Sequence, residues 1–258
     1  MPVRVLWLRA TMSTKNETFR SLLSSISVRH DSRRVFDGFV RLAACALAMQ
    51  TREAEYLAEA KRWDRDELDV FSRALGALVL EMERDSYTDL LGTHYMDFAL
   101  SQSSAQRGGE FHTPQAICRL MSRLVLGDEE PTEPIQICEP CCGAGAMILS
   151  TFEAMTPRQR SFARFTAIDI NATACDMCYI NTTLWGIPCR VVHGNTLSGE
   201  FWGAWSNLHF LMPWPRCDAA SDTDPQTVTV PELPAQGEPP SPAEVAAITR
   251  QLQTEFAF

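Results

Sequence analysis

The chain has 258 residues, 45% of them hydrophobic and 21% charged, with a formal net charge of −9. That length supports one sizeable core with a helical appendage. The acidity argues against a general polyanion binder, although residues 1–34 are locally basic and residues 217–258 are acidic. No apolar run reaches the roughly 18 residues a membrane span needs: the nearest candidate, from Val35 to Met49, is interrupted by Asp37 and Arg41. Arg4 and Arg9 flank a few apolar residues without the apolar core of a secretion signal, and either Met1 or Met12 can serve as the start. The nine cysteines sit mostly in apolar runs, the pattern of reduced thiols in a cytoplasmic protein.

From Asn16 to about Leu100 the apolar residues recur at helical spacing, as in Phe19, Leu22, Leu23 and Ile26, and four or five helices are expected to pack as a bundle. The domain reading is a helical region over 1–105, an α/β domain over 106–216 and a tail over 217–258. A polar loop from Ser101 leads to Gly109-Glu110-Phe111-His112-Thr113-Pro114, where Thr113 reads as a helix cap and Pro114 as the first helical residue. Ala116, Ile117, Leu120, Met121, Leu124 and Val125 then form one apolar face, and Gly127 is expected to end the helix.

The run Ile135-Gln136-Ile137-Cys138-Glu139 reads as a strand. Pro140-Cys141-Cys142-Gly143-Ala144-Gly145 follows as a turn, and a helix is expected to about Met155. Strand, glycine turn and helix make a ligand crevice at the carboxyl edge of an open α/β sheet. A second strand is expected over residues 164–170, a helix over 171–184 capped by Asn171, a third strand over Cys189–His193 and a fourth over Leu208–Met212. Residues 218–241, rich in Pro, Asp, Glu and Thr, are expected to remain unfolded or loosely draped, with a short helix over 242–258.

Four pieces fall where strand ends would meet a ligand: Gly109 to Pro114, Glu139 to Gly145, Asp169, and Gly194 to Leu197. The spacing from Gly145 to Asp169 suits a carboxylate that accepts hydrogen bonds from a ribose diol. In these four pieces the chain resembles the N6-adenine DNA methyltransferases, in particular the modification subunits of type I restriction systems. The resemblance covers about Gln106 to Trp214 and implies a Rossmann-like methyltransferase sheet, S-adenosylmethionine as cofactor, DNA as substrate and a specificity or restriction-system subunit as partner. It implies that Phe111, Thr113 and Pro114 line the methionine end. Glu139, Cys141, Gly143 and Gly145 would surround the methionine and ribose. Asp169 would hold the ribose, Ile170 would lie against the adenine, and Asn195 and Leu197 would meet its amine and ring.

Three departures stand out. The family has Asp where this chain has Asn195, whose carbonyl oxygen can still accept from an amine. The family's Asn/Asp-Pro-Pro-aromatic catalytic motif is reduced to Met212-Pro213-Trp214, which lacks the polar acceptor that orients the target amino group. The family sheet has seven strands, and this chain offers four. The sequence therefore carries two main readings: an adenine-specific DNA methyltransferase acting with a partner, and a catalytically inactive relative that binds DNA or a restriction-modification complex; methylation of a protein or RNA amide or amine by the same fold is a third, weaker one.

Other signals weigh less. A nicotinamide site lacks its third glycine, since Ile148 stands there. Cys138-x-x-Cys141 and Cys175-x-x-Cys178 have zinc-like spacing, but they fall on a strand, a turn and a helix, so core thiols are expected. Trp202, Trp205 and Trp214 read as a cluster near the substrate mouth, either stacking bases or buried. His193 and His209 are expected to be packed or capping residues. Arg29, Arg33 and Arg34 are expected at a solvated helix end, with phosphate contact as the alternative.

Overall fold

The computed structural model describes residues 17–99, 113–127 and 129–214. The expectations for Phe111, for the acidic stretch 218–241 and for the helix over 242–258 lie outside these residues. The first helical segments are α1 (Phe19–Ser27), α2 (Ser32–Leu47), a 3-10 turn (Met49–Arg52), α3 (Glu53–Ala60), α4 (Arg65–Met82) and α5 (Leu90–His94), which runs into a π turn (Tyr95–Ala99). Their boundaries follow local chemistry. Thr18 and Asp64 each close a capping box, and Asp31 and Asp89 cap α2 and α5 with their carboxylates. The amphipathic faces meet in an aromatic cluster in which Phe19 lies 5.0 Å from Phe39, and Trp63 lies 5.0 Å from Phe71.

The α/β part comprises α6 (Gln115–Val125), β1 (Ile135–Glu139), α7 (Ala146–Ala154), α8 (Pro157–Phe162), β2 (Ala163–Asp169), α9 (Ala172–Leu184), β3 (Cys189–Asn195), β4 (Glu200–Ser206) and α10 (Leu208–Leu211). The sheet order is β1-β2-β3-β4, with the first three strands parallel and β4 antiparallel to β3. Parallel neighbours need crossovers, and α7 with α8, then α9, supply them. One hydrophobic core runs from Phe19 on α1 through Leu149 on α7 to Val191 on β3, so the helical bundle and the sheet share a single interior.

Several expectations are corrected. The fourth strand is Glu200–Ser206, and Leu208–Leu211 is a short helix. Asn207 explains this: its side chain accepts from the Phe210 N–H, starting the helix, while also bonding the Cys189 N–H and the Ile187 carbonyl. Gly194 and Asn195 belong to β3 and lead into a tight hairpin that Gly199 closes at φ +69°. Pro114, with ψ 137°, stands outside α6 as its cap residue, and the helix begins at Gln115. That helix ends at Val125, because Leu126 is already extended, so Gly127 is not its terminator. The helix Pro157–Phe162, started by a Thr156–Gln159 capping box, was not expected. The three tryptophans separate: Trp205 covers Arg52, Trp214 covers Arg164, and Trp202 lies against His193. Arg29 pairs with Asp64, Arg33 pairs with Asp37, and Arg34 lies over Trp63.

An ionic square, buried at Arg52 and Asp176 and half-exposed at Arg41 and Glu55, joins bundle to sheet. Arg52, 1% exposed, donates to Asp176 on α9 at 2.8 Å and to both oxygens of Glu55 at 3.1 and 2.7 Å. Arg41 on α2 closes the square, reaching Glu55 at 2.9 Å and Asp176 at 3.0 Å. The Trp205 ring lies 4.2 Å from the Arg52 guanidinium. Removing one partner leaves a desolvated charge, so Asp176→Ala is expected to cost about 3–5 kcal/mol in chemical denaturation. Burial favours the neutral form of Glu55, but the hydrogen bond and charge of Arg52, with Arg41, outweigh it and hold the carboxyl below its ordinary 4.5. A lowered folded-state value means this contribution is complete above 4.5 and is lost as pH falls through the folded value. Glu55→Gln is expected to lower stability at neutral pH and to flatten its decline below 4.5, as read by urea titrations across pH.

Candidate functional site

The glycine turn after β1 is folded by its own backbone. The Cys142 N–H donates to the Ile168 carbonyl at 2.8 Å, tying the turn to β2, and the Gly145 N–H closes onto the Cys142 carbonyl at 2.8 Å. Gly143 and Gly145 take φ of +53° and +93°, the left-handed region that L side chains avoid. A Cβ on Gly145 would also stand 3.1 Å from the Cys178 sulfur on α9. Asn181 on α9, fully buried, donates to the Ala144 carbonyl at 2.8 Å and to Asp89 at 3.0 Å, so the bundle holds the turn from behind.

A cleft of about 490 Å³ opens at the carboxyl ends of β1, β2 and β3. The sequence-expected residues Thr113, Glu139, Cys141 and Gly143 line one side, and Asp169, Ile170, Asn195 and Leu197 line the other. Pro114 and Gly145 do not line it. Tyr95, Cys118 and Met177 also form its wall, and sequence reasoning missed them because apolar periodicity alone gave no sign that these positions face a cavity.

Asp169 sits at the tip of β2, half-buried, and accepts from the Gly143 N–H and the Asn171 N–H at 2.8 Å each, one on each oxygen. A carboxylate oxygen has a second acceptor position, so two remain for a ligand's hydroxyls. Glu139 accepts from the Cys141 N–H at 3.2 Å. Asn195 is used differently from the expectation: its carbonyl oxygen accepts from the Leu197 and Ser198 N–H groups at 3.0 and 3.3 Å and shapes the hairpin. An adenine amine would have to share that oxygen. Ile170 and Leu197, 60% and 99% exposed, stand as apolar flanks at the mouth.

The described thiols near the turn are held in their protonated form. Burial, with the charges of Asp169 and Glu139, raises the Cys141 thiol, so it stays protonated at neutral pH. The Cys142 and Cys189 thiols hydrogen-bond to Cys178 and, with its burial, push it well above its usual value. Among the described residues no group of three or more His, Cys, Asp or Glu is arranged to hold a metal.

Met212-Pro213-Trp214 lies elsewhere. Arg164, the second residue of β2, donates to the Met212 carbonyl at 3.0 Å and carries the Trp214 ring at 4.0 Å. Asp169 is five residues further along the strand, roughly 16 Å at a strand's rise, so the residue that holds this segment and the one that lines the cleft stand at opposite ends of β2.

The N-6 DNA Methylase family model matches residues 86–230, which include every described wall of this cleft from Tyr95 to Leu197. The chain belongs to the N-6 DNA methylase family. A curated relative, the type I restriction enzyme MpnII methylase subunit of Mycoplasma pneumoniae (strain ATCC 29342 / M129 / Subtype 1), is 27% identical over 128 residues, 47% of this chain and 23% of the relative. The chain thus spans about a quarter of that relative's length. The solved structure of the type I restriction-modification system methyltransferase subunit from Streptococcus thermophilus is 18% identical. It covers 69% of this chain and 43% of its own, with a TM-score of 0.36. Among the described residues no helix is long and apolar enough to cross a membrane.

Gly145→Ala is expected to destabilise the protein by about 1–3 kcal/mol through left-handed strain, with contact against Cys178 adding to it. Thermal melts measure the loss.

Proposed function

We propose that this chain binds S-adenosylmethionine in the cleft above β1 and β2 and serves N6-adenine methylation of DNA as one component of a larger assembly. The cleft's acidic lining carries the reading: Glu139 and Asp169 face one cavity across a turn whose glycine N–H groups are already ordered. That chemistry suits a ligand that is cationic at one end and carries a hydroxyl pair at the other. Asp169 would receive the ribose diol on its two remaining acceptor positions. Glu139 would face the ammonium and sulfonium charges. Ile170 and Leu197 would flank the base. Once bound, the cofactor supplies an electrophilic methyl group, and the chain's own residues hold it and exclude water around it.

Transfer also needs an acceptor group that orients the target amine. Met212-Pro213-Trp214 does not offer one at the cleft, since it is held against Arg164 at the other end of β2. Under this reading, a partner subunit of a restriction-modification system supplies that group together with the choice of DNA sequence. The same displacement favours a second reading, in which the chain keeps the cofactor pocket but has lost chemistry and acts by occupying or regulating such an assembly.

Calorimetric titration with S-adenosylmethionine tests the shared premise. The wild-type chain is expected to bind, and Asp169→Ala is expected to weaken binding at least tenfold, about 1.4 kcal/mol. Equal binding by both would remove the site. Tritiated methyl transfer to DNA, with and without cell extract, separates the two readings: incorporation only with extract supports the component, and none under any condition supports the inactive relative.

A further inference from the structure

Asn195 is the last residue of β3 and lines the cleft together with Ile170 and Leu197. The strand register sets it beyond Asp169: His193 of β3 pairs with Asp169 of β2, and Asn195 lies two residues further on. At ordinary strand spacing and rise its Cα is roughly 8 Å from that of Asp169. A nucleoside whose ribose diol sits on Asp169 and whose base lies between Ile170 and Leu197 therefore brings an edge of that base towards Asn195.

What Asn195 can offer that edge is fixed by the hairpin. An amide side chain has one oxygen with two lone pairs and one nitrogen with two hydrogens. The oxygen accepts from the Leu197 N–H at 3.0 Å and from the Ser198 N–H at 3.3 Å. Both partners are backbone donors, so the amide cannot be turned round: its nitrogen there would set donor against donor. With both lone pairs engaged, the NH2 group is what is left for a ligand. The hairpin is itself tied to the glycine turn, where Thr196 donates to the Pro140 carbonyl at 2.6 Å. Asn171, the other amide on the cleft wall among the described residues, likewise spends its oxygen on backbone N–H groups, those of Thr173 and Ala174.

We propose that Asn195 reads the base of the bound nucleoside as a hydrogen-bond donor, so that the cleft takes a 6-oxopurine nucleoside at least as tightly as a 6-aminopurine one. The proposal rests on the cofactor reading above and adds to it which base edge the cleft selects. A 6-aminopurine carries an NH2 donor at its six-position, and a 6-oxopurine carries a carbonyl acceptor there. Against the Asn195 NH2 the first sets donor to donor and leaves only a ring nitrogen to bond. The second brings an oxygen with two lone pairs. Strong rejection of an analogue comes from leaving a polar group of the site unpaired, and the oxo base leaves none unpaired at Asn195.

Calorimetric titration of the full chain with S-adenosylmethionine and with its 6-oxo counterpart, S-inosylmethionine, tests it. The wild-type chain is expected to bind the inosyl compound at least as tightly as the adenosyl one. Asn195→Asp keeps an oxygen for the Leu197 and Ser198 N–H groups, and with it the hairpin, but replaces the NH2 by a second acceptor. That variant is expected to shift the ratio of the two dissociation constants at least tenfold towards the adenosyl compound. The added charge meets both ligands alike and cancels in the ratio. A wild-type preference for the adenosyl compound overturns the proposal and leaves the cofactor cleft standing, as does a ratio that Asn195→Asp does not move. Binding of neither compound overturns the cofactor reading and this proposal with it. Should the variant fail to fold, the wild-type ratio decides.

Discussion

The square of Arg41, Arg52, Glu55 and Asp176 fixes how the two halves of this protein meet. Arg52 and Asp176 are withdrawn from water and tolerated there because each finds two opposite partners, with the half-exposed Arg41 and Glu55 closing the set, and such a set has few alternative arrangements. The square therefore contributes more to placement than to net stability. It sets α9 against α2, and α9 in turn carries Asn181 to the Ala144 carbonyl and Cys178 to the back of Gly145. The geometry of the glycine turn depends on contacts made far from it.

This dependence explains what could be read from the sequence. The strand, glycine turn and helix around residues 135–154 were legible because their signals are local: apolar run, left-handed glycines, apolar run. Asp169 was legible from spacing alone, and it does meet the turn, through Gly143. The ionic square was not legible, since Arg52 and Asp176 are 124 positions apart and each looks like a surface charge in isolation. The hairpin after β3 was hidden because Asn195 and Gly199 resemble a loop until Phe201 and Trp205 are seen to alternate with exposed positions. The orientation of α6 was hidden too: its apolar periodicity identified a face, but not that the face would point outward.

The cysteines show how context changes the meaning of a residue type. Spacing alone suggested metal ligands, whereas the described thiols are free and six of the eight are buried. Cys142, Cys178 and Cys189 behave as small apolar groups that let the turn, α9 and β3 approach closely.

The length of β2 separates two inheritances. The residues that shape the cleft gather at one end of this strand, and the degenerate motif is anchored at the other. Sites this far apart and sharing no partner vary independently. Substitutions around Met212 can therefore accumulate without disturbing the cleft at the other end of the strand, and the two ends of β2 are free to answer to different selective demands.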